Sequence, residues 1–267
     1  MSGESEPAPL RLGGMALRNG LLVHGPTRWA ASVRRPDGTI ASASGRKPSA
    51  GHAFDALPGA RGVVRLAEAM AVIPLVKRAL PEARLPFQDA RVVSASVAVM
   101  AGGALLRRRV RGPGAEAALA AVSLLPSFLA LRGGDLAAYH GVEHKAIGAY
   151  EQGAGDARDA TKEHDRCGSH LMAPMLVSNA AGTVLLKRAV EKPGQLSTAI
   201  VSLASVGLAV EVFTWAERHD GSTTTRILRF PGHELQRLLG TREPTEEQLD
   251  VGRAALAEIL RAEGRER

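Results

Sequence analysis

Cysteine and aromatic side chains are what this 267-residue chain has least of: it carries one Cys, Cys167, and its aromatic content is 3%. A single thiol excludes an internal disulfide and leaves Cys167 as a free thiol or a metal ligand, both suited to a reducing compartment. So few rings leave little surface for stacking on single-stranded nucleic acid. No RNP-like or zinc-finger spacing is present either, which argues against nucleic acid as a partner. Acidic residues are outnumbered, 27 against 34 Lys and Arg, for a net charge of +7. That balance points to anionic lipid. The first twelve residues lack a basic stretch followed by an apolar core, so no cleavable signal peptide is expected.

Long Leu-rich runs are also missing, but four charge-free apolar runs are present, at 92–106, 117–131, 171–186 and 196–210. Each approaches the length that crosses a bilayer as a helix. They are rich in Ala, Gly and Ser, which weakens insertion but lets helices approach closely, as at Ala98, Gly102, Gly103, Ser205 and Ala209. The expected fold is mainly α: a polytopic helical membrane protein with about four apolar helices in two pairs. Buried helices of a soluble bundle are the alternative. If all four runs span, both termini and the central polar segment share one side, expected to be the cytoplasmic face of the cell membrane. Arg61, Arg65, Lys77, Arg78, Arg84 and Arg91 fit that orientation, whereas the basic cluster at 107–111 falls on the other side.

The remaining organisation follows from turn and cap signals. Residues 1–12 read as a disordered tail and 13–60 as a β-rich region. Within it, Arg35-Pro36-Asp37-Gly38 joins Trp29–Val33 to Thr39–Ala41 as a hairpin. Residues 61–91 read as an amphipathic helical region with Val63, Leu66, Met70, Ile73 and Leu75 on one side. Residues 92–216 form the helical core, with a polar insertion at 132–170. Residues 217–267 form a soluble helical region. Its last helix opens on Thr245-Glu246-Glu247-Gln248, a capping box, and is amphipathic.

The chemistry concentrates in the insertion. His140-Gly141-Val142-Glu143-His144 has the form H-x-x-E-H, and His164-Asp165-Arg166-Cys167-Gly168-Ser169-His170 follows about twenty residues later. On a helix, His140 and His144 share one face with Glu143 beside them. Two imidazoles and a carboxylate can hold a divalent metal, zinc being the best match, and supply a base. Glu151, His164, Cys167 and His170 are candidates for further ligands. Three ligands leave an open position and suit a hydrolase acting on a small molecule or peptide, with Glu143 as base. Four ligands, with His164 and Cys167 both joining, make a closed structural staple that pins a scaffold or a partner-docking surface. A Cys167 thiol activated by Arg166 is a third use, if that segment is exposed. Lys145 reads as a solvated cation. Glu211 and Asn179 are the polar groups within the apolar runs, which is thin support for transport.

Taken together, Gly13-Gly14-Met15-Ala16 with Gly20 and Gly25-Pro26, Arg61-Gly62-Val63-Val64 with Glu68, the two His motifs, and Thr241-Arg242-Glu243-Pro244 with Glu247-Gln248-Leu249 resemble the YqhQ-like family of bacterial membrane proteins (domain of unknown function 1385). The resemblance implies a polytopic helical membrane protein with metal dependence. It brings in Asn19 and Glu68 as further candidate site residues. The chain departs from the family at Met15, where Gln is usual, and at Asn19, where Glu is usual. His24 stands for an Arg, Asp165 for a Pro, and His170 for a small polar residue. Asn19 cannot act as the charged group that a Glu would supply.

Overall fold

The computed structural model describes residues 9–49, 59–109, 112–131 and 134–265. Four strands, β1 (Gly13–Leu17), β2 (Gly20–His24), β3 (Arg28–Arg34) and β4 (Ile40–Arg46), form an antiparallel meander in the order β1-β2-β3-β4. The turn at Arg35–Gly38 is where its Pro and Gly place it, with Gly38 at φ 86° and the Asp37 carboxylate accepting from the Thr39 amide at 2.9 Å. The expected hairpin is therefore present, within a larger sheet. Residues 50–58 of the expected loop lie outside the described residues.

Both faces of the sheet are covered. Side chains alternate along a strand, so Ala16, Leu21, Val23 and Ala30 face one core while Leu17, Leu22, Ala31 and Val33 face another. The first core is closed by α5 (Asp135–Gln152) through Tyr139, Val142, Ala146 and Ile147, and by α9 (Glu246–Ala262) through Leu249, Val251, Ala255 and Ile259. The second is closed by α1 (Ala60–Ala79) through Val72, Ile73 and Val76. Leu66 and Met70, expected on that side, are instead about half exposed. The sheet, rather than the period of the helix alone, selects which α1 side chains are buried.

The capping box of α9 is formed. The Thr245 side chain accepts from the Gln248 amide, and the Gln248 side chain accepts from the Thr245 amide. The segment before it runs tightly along α5: a Cβ on Gly141 would sit 2.3 Å from the Arg242 carbonyl oxygen, so only glycine permits the approach.

The apolar runs divide differently from the expected two pairs. The first lies in α2 (Ala90–Arg109). The second breaks into α3 (Pro113–Val122) and α4 (Leu125–Leu131), of 10 and 7 residues. Pro126 has no amide hydrogen and is best accommodated in the first turn of a helix, which is where α4 places it. At about 1.5 Å per residue neither piece crosses a bilayer. The third and fourth runs form an antiparallel hairpin of α6 (Met172–Ala189) and α7 (Gln195–Arg218). These two helices are long and apolar enough to cross a membrane, and little of either is buried, 6% and 17% of the apolar windows. Val177 is 70% exposed and Leu203 56%. A core helix of a soluble protein would bury such residues.

α8 (Thr223–Leu235) follows α7 and runs into a widened helical turn, Gln236–Gly240. Glu211 of α7 accepts from the Gly59 amide at the start of α1 at 2.9 Å, joining the hairpin to the sheet layer.

Candidate metal centre

The H-x-x-E-H motif is helical, lying in the middle of α5. Its two imidazoles stack one turn apart, ring centroids 4.4 Å from each other. Each ring is oriented by a backbone carbonyl. His140 Nδ1 lies 2.7 Å from the Gly240 oxygen and His144 Nδ1 lies 2.6 Å from the Lys162 oxygen. A carbonyl only accepts, so both Nδ1 atoms carry the proton and both Nε2 atoms keep a lone pair. This is the outer-shell arrangement that prepares histidine for a metal. His144 is 2% exposed, and its Nε2 is buried with no hydrogen-bond partner among the described residues.

Cys167 supplies the third group. It caps the short turn Gly168–Leu171, with its Sγ accepting from the Ser169 amide at 3.5 Å. The same sulfur lies 3.4 Å from His140 Nε2. The ligand atoms of His140, His144 and Cys167 all lie within 4.8 Å of one another. Around a tetrahedral zinc such separations contract to about 3.4 Å. Donor chemistry and spacing therefore fit a borderline-soft divalent ion.

Burial sets the protonation of these groups. It is the main cause that pushes His144 down to about 2, with His140 next, so this imidazole is neutral. Burial also pushes the Cys167 thiol up to about 11. The activated exposed thiol is therefore not what the structure holds, and a thiolate here calls for a neighbouring cation.

Glu143 stands beside the triad without joining it. Burial raises its carboxyl above the usual range, opposed by His140 and by the Ala16 amide, which donates to it. A Cβ on Gly14 would lie 2.7 Å from the Glu143 side chain, so glycine makes room for it. Strand β1 thus packs directly over the carboxylate. A chamber of about 170 Å³ opens there, lined by Gly13, Gly14, His24, Glu143, His144 and Cys167 among others. His24 Nδ1 is buried with no hydrogen-bond partner among the described residues.

The other expected site residues are placed elsewhere. His164 Nε2 pairs with Glu151 Oε2 at 3.2 Å, and its Nδ1 accepts from the Arg166 amide, so it lies outside the triad. Glu151 is held between His164 and Arg166. His170 is buried against the Arg229 carbonyl and Gln236. Asn19 sits in the β1–β2 turn, at the opposite end of the hairpin from Gly13 and His24. Its amide donates to the carbonyls of Arg34 and Glu82, and its oxygen accepts from the Arg84 amide. That makes it a latch between the sheet and the chain leaving α1. Glu68 is buried in α1 and paired with Arg65 at 2.9 Å.

Lys145 is not a solvated cation: it is buried, donating to the Ala160 carbonyl at 2.8 Å and pairing with Glu243. Gln236 was not foreseen. It is fully buried, accepts from the His164 amide, and donates to the His164 carbonyl and Ser169 Oγ, clamping the loop that presents Cys167.

Comparison with known proteins gives the same neighbourhood. Residues 135–262 match the family described as "Protein of unknown function (DUF1385)". Over 135 residues the chain is 27% identical to "Uncharacterized protein YqhQ" of Bacillus subtilis (strain 168). The match covers 47% of this chain and 40% of the relative, so the chain spans well under two thirds of the relative's length. No solved structure matches. Leu12, Gly13, Gly14 and His24, which wall the chamber, lie outside the family match, whereas His140, Glu143, His144 and Cys167 lie inside it. Over residues 135–262, just under half of its length, the chain is similar to the YqhQ-like DUF1385 family.

Proposed function

We propose that this is a membrane protein that binds a divalent metal, zinc by donor chemistry, and uses it for a hydrolytic reaction at the cytoplasmic face. The observation that carries the reading is the fixed tautomer of both histidines, which turns two lone pairs toward Cys167. His140, His144 and Cys167 are the ligands, and three protein ligands leave one position open. When bound, zinc supplies Lewis acidity there. Glu143 takes the proton from a water in the chamber onto a carboxylate oxygen. Burial raises its carboxyl above the usual carboxylate range, which makes the ionised group a stronger base, and His140 and the Ala16 amide partly oppose that shift. Gly13 and Gly14 leave the room that water and a small reacting group need. The substrate is a small molecule or a peptide end, since the chamber holds only a few water volumes.

Membrane association rests on the length, apolarity and exposure of α6 and α7. With α6 leaving the turn that follows Cys167, the site lies at the base of the hairpin, next to the lipid surface. The test is elemental mass spectrometry on the detergent-purified full chain. The expected result is about one zinc per chain, retained in Glu143→Gln and lost in His144→Ala. Absence of metal from the wild-type protein would leave a structural histidine cluster and remove the hydrolase reading.

A further inference from the structure

The chamber beside Glu143 adjoins a larger space. Leu12, Gly13 and His24 line it, and the same three residues line a groove of about 1160 Å³. The groove passes between the open end of the β1–β2 hairpin, α1 and α7. Its inner wall is small and mostly apolar, with Gly62 and Ala69 of α1 facing Val210 and Thr214 of α7. The two helices are close here: a Cβ on Gly62 would lie 2.6 Å from Val210. The outer wall is basic. Arg11, Arg46, Lys47 and Arg65 line it; among the described residues Arg11 is paired with Glu217 and Arg65 with Glu68, which leaves Arg46 and Lys47 as its net positive charge. One end of the groove therefore follows a helix long and apolar enough to lie in lipid, the sides carry the charge of Arg46 and Lys47, and the other end shares the His24 wall with the Glu143 chamber.

We propose that this groove binds an anionic amphiphile, a phosphate or carboxylate head on a hydrocarbon chain. The chain lies against the α1–α7 wall and the head sits among Arg46, Lys47 and Arg65. Such a ligand matches the groove at both ends. Its apolar part leaves the bilayer along α7 without crossing water, and its charge is met by guanidinium groups, which suit phosphate and carboxylate geometry. A freely soluble anion would use only the basic rim, and a neutral lipid only the apolar wall. For the chemistry that follows binding, the assignment rests on the hydrolase reading above. The binding itself needs no metal.

The experiment is calorimetric titration of the full chain in an uncharged detergent with three probes: dioctanoyl phosphatidic acid, dioctanoylglycerol and inorganic phosphate. Saturable binding of the phosphatidic acid is expected, with affinity at least about tenfold weaker in Arg46→Glu and in the double variant Arg46→Gln/Arg65→Gln. Arg46 and Arg65 are exposed, and unchanged circular dichroism checks that the variants fold. His144→Ala is expected to bind the lipid normally. Its metal content, measured on the same sample, separates failure of the metal reading from failure of this one. Three results each overturn the proposal: no saturable phosphatidic acid binding, equal affinity for dioctanoylglycerol, or equal affinity for inorganic phosphate.

Discussion

His144 donates its Nδ1 hydrogen to the Lys162 carbonyl at 2.6 Å, and this one bond ties the imidazole to the loop that brings Cys167. The loop is thereby held to α5 whether or not an ion is present. Replacing His144 by Ala leaves the Lys162 oxygen without its partner, which costs about 1–3 kcal/mol for a buried acceptor. The expected outcome is a lower melting temperature even in chelator, together with loss of the extra stabilisation that metal gives the wild type. Thermal scans with and without EDTA separate the two effects. A variant that melts with the chelator-treated wild type would show that the bond contributes nothing of its own.

Glu143 is expected to behave differently from its neighbours. It accepts from the Ala16 amide and stands outside the three-ligand group. Glu143→Gln preserves size and hydrogen bonding, so metal content and melting temperature should stay near wild type. On the proposed hydrolase reading, turnover should fall by about 10²–10⁴. Loss of metal in this variant would instead make Glu143 a ligand.

Cys167 should be sluggish toward thiol reagents in the metal-free protein. Burial holds its thiol at about 11. At pH 8 the thiolate fraction is then on the order of a thousandth, roughly a hundredfold below an ordinary cysteine. Stopped-flow labelling with a disulfide reagent, compared with the urea-unfolded chain, measures this. Equal rates in the two states would mean that the thiol is not buried beside His140.

Much of this site is legible in the residues themselves. H-x-x-E-H predicts one helical face, and Cys167 is among the candidates for the third ligand. The choice of Cys167 over His164 is not legible, because it depends on Glu151, thirteen residues away, holding the His164 ring. Nor are the acceptors that orient the rings, since Gly240 and Lys162 contribute backbone oxygens that no side-chain pattern marks. In the fold, the β3–β4 turn and the α9 cap are local and can be read directly. The buried side of α1 is set by a sheet elsewhere in sequence, and composition alone could not show that Pro126 divides the second apolar run.

His24 gives the fold an acid limit. Burial foremost, then Lys47, lowers its pKa from 6.5 to about 4. Above pH 6.5 the ring is neutral in both folded and unfolded chains and costs nothing. As pH falls from 6.5 towards 4 the unfolded chain takes up the proton first, so stability is lost across that window and levels off below it. The shift corresponds to about 3 kcal/mol. Urea unfolding at pH 7 and pH 4.5 should show the loss, and His24→Gln should flatten that part of the profile. An unchanged slope in the variant would place the acid sensitivity on other groups.

The proposed membrane residence rests on α6 and α7, the two helices among the described residues that are long and apolar enough to cross. On that proposal, two spanning helices return the chain to the side it left, which keeps the sheet, α5 and α9 together with the His140–His144–Cys167 group on one side. Leu203 lies on the exposed surface of α7, 56% accessible, where on the membrane proposal a charge meets lipid. Leu203→Asp should then cost about 2.5–3.5 kcal/mol of insertion. Expressed full-length protein should resist carbonate extraction, and the variant should shift measurably into the supernatant. Trp215 stacks on His219 at 4.4 Å near the end of α7, and on the membrane proposal it is the interfacial aromatic. Trp215→Ala should leave extraction unchanged while altering quenching by lipids brominated near the headgroup. If carbonate releases the wild-type protein as readily as Leu203→Asp, α6 and α7 do not span, and their exposed apolar faces must be covered by protein instead.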